Sequence, residues 1–189
     1  MISKMFVCLT VLSCVMSAEA ADLKIGDTVP AFSAKDDTGA EWKSNEQFGK
    51  KIYVFYFYPA DMTGGCTRQA CGFRDDISAL RDLGVEVIGV SGDTVENHQD
   101  FKAEKGLNFP LLADTEGKVA TAFGVPFTPG EKSVTVEIGG KPKTLTRALT
   151  TKRWTFIVDQ SGKVVYKDEN VDAGADSQKI AAAIKKLKG

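Results

Sequence analysis

Metal ligands and covalent staples are scarce in this chain of 189 residues, which holds one histidine, His98, and four cysteines. A closed zinc site takes four Cys or His ligands, and a disulfide-built scaffold takes a much higher cysteine density. Neither organises this protein, and no metal or other cofactor is expected. An excess of one charge is missing too, with 24 Lys and Arg against 25 Asp and Glu. Without a basic tract to neutralise phosphates, nucleic acid is not an expected partner. No apolar run approaches the ~20 residues of a membrane span. Internal repeats, low-complexity tracts and Pro/Gly/Ser linkers are absent, and the length fits one domain at roughly 150 residues each. What is present is an ordinary globular composition, 43% hydrophobic and 26% charged.

The start of the chain departs from that composition. Lys4 precedes an apolar run from Met5 to Met16, and Ser17-Ala18-Glu19-Ala20-Ala21 follows. This is the order of a charged n-region, an h-region and an Ala-x-Ala cleavage site. Residues 1–20 are therefore expected to be a signal peptide, cut after Ala20, and residues 21–189 the mature domain. The protein is expected to be exported, into a bacterial periplasm, with no stable membrane association after cleavage. Cys8 and Cys14 leave with the signal, while Cys66 and Cys71 remain in a compartment where disulfides persist.

Along the mature chain, Lys51 to Tyr58 is almost continuously apolar, aromatic and β-branched, the pattern of a strand buried on both faces. Pro59 to Gly65 is a loop rich in breakers. Ala70, Phe73, Ile77, Leu80 and Leu83 recur at helical steps, so an amphipathic helix is predicted from Cys66, stopped by Gly84. Val85–Ser91 is a second strand, and Phe109–Leu112 a short one whose Pro110 suggests an edge or a strand start. Helices are predicted at Thr94–Lys105, Thr115–Phe123 and Asp176–Lys188. Lys132–Ile138 and Lys143–Leu149 flank Gly139-Gly140 as one hairpin; Trp154–Asp159 and Lys163–Tyr166 form another. The alternation gives a three-layer α/β domain, a mixed sheet covered by helices.

The chemistry is concentrated between Pro59 and Cys71. Cys66 sits where the buried strand has ended and a helix begins. Unpaired N–H groups and the macrodipole stabilise an anion there, so this thiol is expected to ionise readily and to act as a nucleophile. Thr63 lies three residues earlier, which lets its hydroxyl turn back toward Cys66. Gly64 and Gly65 allow the backbone close to a small ligand. Within an intact helix Cys66 and Cys71 are roughly 8 to 9 Å apart at Cα, beyond the ~7 Å reach of a disulfide. Either they never pair, or the first turns unwind when they do. Arg153 opens a strand, where it pairs with a surface carboxylate or points at the thiolate. His98, on a polar helix, is expected to be solvated, as are Arg68 and Arg74. Trp42 and Trp154 are expected to be packing residues.

Pro59-x3-Thr63-x2-Cys66 resembles the active-site signature of the peroxiredoxins. Cys66-Thr-Arg-Gln-Ala-Cys-Gly-Phe-Arg-Asp75, Val90-Ser-Gly-Asp93, Phe109-Pro-Leu-Leu-Ala-Asp114 and Arg153-Trp-Thr-Phe-Ile-Val-Asp159 are similar to the Q-type, bacterioferritin-comigratory branch. The resemblance covers essentially the mature chain. It implies a thioredoxin-like fold and a thiol peroxidase acting on hydrogen peroxide and organic hydroperoxides. It implies that Cys66 is peroxidatic and Cys71 resolving, forming an intramolecular Cys66–Cys71 disulfide reduced by a thioredoxin-like dithiol. Thr63 and Arg153 would bind peroxide and thiolate, and Pro59 and Gly65 would line the pocket. A monomer or weak dimer is expected. The export signal and the Gly139-Gly140 hairpin are departures from that branch. The alternative is an exported thiol-disulfide oxidoreductase of the same fold, which would favour Cys-x-x-Cys. A third reading is a secreted binding module with a structural cysteine pair.

Overall fold

The computed structural model describes residues 22–189; the expected signal at residues 1–20, with Cys8 and Cys14, lies outside them. The aromatic run is the centre of the structure. Ile52–Phe57 form β3, and from Tyr53 onward every residue is buried. Because side chains alternate along a strand, Tyr53, Phe55 and Phe57 enter one core with Phe32, Trp42, Phe123 and Phe156. Val54, Tyr56 and Tyr58 enter the opposite core with Cys66, Phe73, Leu80, Phe101 and Ile184. Trp42 is buried in the first core and Trp154 packs against it, beneath the Lys167 ammonium.

β1 (Ser33–Asp36), β2 (Glu41–Lys43) and the short α1 (Ser44–Gln47) precede β3. α2 (Gly64–Asp82), β4 (Val85–Ser91), α3 (Val95–Lys105), β5 (Leu111–Ala113) and α4 (Lys118–Phe123) follow it. β6 (Phe127–Ile138), β7 (Lys141–Thr151), β8 (Trp154–Val158), β9 (Val164–Asp168) and α5 (Asp176–Lys188) complete the chain. The main sheet has the order β2-β1-β5-β4-β3-β8-β9. Pairs β3–β4 and β4–β5 are parallel and the others antiparallel, which gives the expected mixed sheet. The fold is the thioredoxin-like three-layer α/β arrangement.

One open expectation is resolved and two elements differ. Pro110 precedes β5, but β5 lies between β1 and β4, so the proline marks a strand start and not an edge. The helix expected from Thr115 begins only at Lys118, because Gly117 is left-handed at φ 72° and Asp114 accepts the N–H groups of Val119 and Ala120. The Gly139-Gly140 hairpin is longer than its apolar pattern suggests and forms a separate two-stranded ribbon. Gly139 and Gly140 both have positive φ, as a tight two-residue hairpin loop requires. The ribbon docks where Ala148 N–H donates to Gly92 O, and a side chain at Gly92 would collide with Leu149.

Candidate active site

After Tyr58 the chain leaves the sheet, and loop 59–63 carries it to α2. The loop is held from below by buried polar groups. The Asp61 carboxylate, with no exposed surface, accepts from the Tyr58 hydroxyl at 2.7 Å and meets His98 Nδ1 at 2.8 Å. Asp61 N–H donates to Asp93 at 3.0 Å, and Asp93 also accepts from Ser91 and Asn97. This anchoring supports a turn at Met62, whose φ of 60° is unfavourable for a side chain other than glycine's.

His98 therefore corrects the expectation of a solvated histidine: it is fully buried on α3. Glu96 and Gln99 face solvent, whereas His98, like the buried Asn97 before it, points inward, under the loop. Burial lowers its pKa, but the Asp61 charge and hydrogen bond outweigh that and raise it above the ordinary histidine value. Arg74 is also more engaged than expected, donating to Lys105 O at 2.5 Å, while Arg68 is exposed.

Thr63 is the N-cap residue of α2, but its hydroxyl donates to Ala60 O at 3.0 Å and does not turn back to Cys66. A carbonyl at the start of the strained turn takes the proton that the threonine offers. The hydroxyl's lone pairs stay available to an incoming O–H. The first helical bond runs from Thr67 N–H to Thr63 O, so the N–H groups of Gly64, Gly65 and Cys66 have no intrahelical acceptor.

Cys66 is 1% exposed at this helix start, and Arg153 Nη2 lies 3.2 Å from its sulfur. Of the two readings of Arg153, the structure selects the one that faces the cysteine. Nη1 of Arg153 donates to Gln69 Oε1. Gln69 Nε2 donates to Asp176 Oδ2 at 2.7 Å, and the Thr155 hydroxyl donates to the same oxygen at 2.8 Å. Burial pushes the Asp176 carboxyl up, opposed by those two hydrogen bonds. A Cβ at Gly65 would stand 3.4 Å from Arg153 Nη2, so the backbone passes close beneath the guanidinium. Pro59 and Arg153 line a half-open groove of ≈ 310 Å³ with Phe127, Thr150 and Thr151.

Cys71 lies half-buried further along the intact α2, and both cysteines are free thiols. Gly65, Cys66 and Arg153 thus meet, Pro59 shares a groove with Arg153, and Thr63 stands at the N-cap of the same helix, while Cys71 stands apart further along it. Gln69, Asp61 and Asp176 are participants that sequence reasoning misses. Gln69 stands three residues after Cys66 and so shares its helix face, a signal open to reading. Asp61 and Asp176 carry no such local signal.

The AhpC/TSA family model matches residues 25–167. Peroxiredoxin Bcp of Bacillus subtilis is 36% identical over 166 residues, covering 88% of this chain and 96% of its own length. The crystal structure of peroxidoxin BcpB from Mycobacterium tuberculosis superposes with a TM-score of 0.73 at 30% identity, over 88% of this chain and 99% of that one. A bacterioferritin comigratory protein from Xanthomonas campestris gives a TM-score of 0.70 at 26% identity, over 88% and 98%. Site geometry, fold and relatives agree: the chain belongs to the AhpC/TSA family, as a thiol peroxidase of the peroxiredoxin Q/Bcp type.

Proposed function

We propose that Cys66 is the sulfur that reduces hydroperoxides in this peroxidase. The observation that carries the reading is the Arg153 guanidinium 3.2 Å from Cys66 Sγ at an uncapped helix start. Both groups stabilise negative charge on sulfur and on oxygen. The Cys66 thiolate attacks one peroxide oxygen; the S–O bond forms as the O–O bond breaks. Arg153, the Thr63 hydroxyl and the Cys66 N–H hold the two oxygens in line and stabilise the charge moving onto the leaving one. Water or an alcohol leaves, taking a proton, and Cys66 becomes a sulfenic acid.

Cys71 then attacks the sulfenic sulfur and releases water. The resulting Cys66–Cys71 disulfide needs the first turns of α2 to open, because five residues of helix separate the sulfurs too widely. A thioredoxin-like dithiol supplies two electrons by exchange and restores both thiols. The groove beside Arg153, with Pro59, Pro126 and Phe127 on its wall, suits the apolar part of an organic hydroperoxide as well as hydrogen peroxide. Alkyl peroxide reduction is the activity named for the Xanthomonas campestris relative. The protein acts as a monomer or weak dimer in a bacterial periplasm, delivered by residues 1–20. No helix among the described residues is long and apolar enough to cross a membrane.

Stopped-flow oxidation with hydrogen peroxide and an organic hydroperoxide, followed by mass mapping, tests this cycle. Cys66→Ser is expected to lose peroxide consumption. Cys71→Ser is expected to give one fast oxidation and then stall. Retained consumption in the first variant removes Cys66 from the role, and undiminished turnover in the second removes Cys71.

A further inference from the structure

We propose that Asp176 is a positioning residue for Cys66, acting through Gln69 and Arg153 by fixing which end of the Gln69 amide faces the guanidinium. The proposal uses the peroxidase reading for one of its two readouts. A glutamine side chain ends in a carbonyl that accepts and an NH2 that donates, and the two are nearly the same size. Arg153 only donates. Turned end for end, Gln69 would set donor against donor, and Arg153 would lose the partner that holds its second arm.

Nothing within α2 decides between those orientations. Asp176 does. Its Oδ2 already accepts the Thr155 hydroxyl at 2.8 Å, and it sits 2.7 Å from the Gln69 nitrogen. An oxygen that accepts there requires the NH2 end of Gln69, so the carbonyl end is left for Arg153. The order of donors is then consistent from end to end. Thr155 and Gln69 both donate to Asp176; Arg153 donates to Gln69 and to the Cys66 sulfur. Asp176 and Gln69 are each 1% exposed, so no water competes freely for these bonds.

Asp176 reaches the site across 107 positions of sequence, as the first residue of α5. Its placement is set by close helix packing: a Cβ at Gly72 of α2 would stand 3.1 Å from the Ser177 hydroxyl. Gln69 lies between the two cysteines. When the first turns of α2 open for the disulfide, Gln69 leaves Asp176 with them. The oriented chain therefore exists only in the form that meets peroxide.

The test is a donor–acceptor swap read by two probes of Cys66 in the folded full-length protein, peroxide oxidation and alkylation by iodoacetamide. Asp176→Asn can offer Gln69 either an oxygen or an NH2, so both orientations are allowed. Oxidation is expected to slow by roughly 10- to 100-fold, the scale on which partners behind a reactive centre act. Gln69→Glu sets two carboxylates against each other and is expected to lose more. The double variant, Gln69→Glu with Asp176→Asn, restores a consistent chain. The new amide at position 176 would donate to the new carboxylate at position 69. That carboxylate would accept from Arg153, and the Thr155 hydroxyl would turn to accept the second N–H of the same NH2. The rate of the double variant is expected to return to within about threefold of wild type, a large coupling between adjacent sites.

Loss of helix packing alone gives no such recovery, because each change would loosen the same contact. An unchanged rate in Asp176→Asn, or a double variant no faster than the product of the singles, overturns the proposal. Should Gln69→Glu fail to fold, the Gln69 side-chain NH2 of the wild type is read by NMR. Slow exchange is expected, and exchange as fast as in a free glutamine also overturns it. If the wild type alkylates at Cys66 but ignores peroxide, the peroxidase reading fails, while the alkylation ratios still decide the role of Asp176.

Discussion

α2 and α3 both follow a strand of the central sheet, and both have threonine at the N-cap, yet their first turns are built for opposite purposes. At α3 the Thr94 hydroxyl accepts from Asn97 N–H at 3.2 Å, Glu96 adds an acid to the first turn, and Gly106 closes the far end in the left-handed region. At α2 the Thr63 hydroxyl turns away, no acid stands in the first turn, and Gly64 and Gly65 take the positions where helix formers would stabilise it. α3 caps a terminal N–H from within; α2 caps none with its own threonine and leaves them for an anion. An uncapped, glycine-rich start is also the easier one to unwind, which the proposed disulfide requires. The two ends are joined: His98 of α3 and Asp93 before it grip Asp61 in the loop that opens α2. The well-capped helix holds the lead-in to the poorly capped one.

Cutting that grip gives the largest expected effect. His98 and Asp61 are fully buried, and removing one partner of a buried pair costs about 3–5 kcal/mol. His98→Gln is expected to lose that order of stability in urea unfolding. The loss also has a pH signature. The folded-state pKa of His98 is raised above its unfolded value of about 6.5. Its contribution is then complete below that value and declines as pH rises through the higher folded value. The groups facing it are Asp61, Asp93 and the backbone of Leu112. The wild-type advantage over His98→Gln should therefore be widest in mild acid and narrow on the alkaline side. An advantage that grows with pH would mean the ring is neutral in the folded protein.

The same contrast explains what can be read from sequence. α3 is legible because its signals are local: threonine cap, polar face, closing glycine. The buried strand β3 is legible because an unbroken apolar run has few other homes. Cys66 and Thr63 are legible as a spacing. The direction of the Thr63 hydroxyl is not, because it depends on the Ala60 carbonyl left free by the turn at Met62. His98 escapes because a polar helix face says nothing about one residue on its other side. Its partner stands 37 positions away. Arg153 stays open between two roles until β8 is placed beside β3, which sets it over α2.

Making α2 begin as α3 does gives a smaller effect. Gly64 is exposed and a Cβ there meets nothing within 4 Å, so Gly64→Glu adds an acid without a clash. Helix propensity and the macrodipole together favour the variant by about 1 kcal/mol. The new carboxylate competes with the sulfur for the same N–H groups. Stopped-flow oxidation of Cys66 is expected to slow about tenfold, an electrostatic cost near 1.4 kcal/mol. A variant that is more stable and equally fast would show that the bare first turn serves unwinding alone.

The smallest effect is the reciprocal change. Thr94→Ala removes a cap that does satisfy its helix, at an expected cost of about 1 kcal/mol in unfolding free energy. If the grip on Asp61 is independent of that cap, the rate of Cys66 oxidation in the folded variant should match wild type. The relevant groups are His98, one turn into the helix, and Asp93 before it, which Ser91 holds independently of the cap. A rate that falls together with stability would mean that fraying of the first turn of α3 reaches Asp61. The cap of one helix would then be part of the machinery at the start of the other.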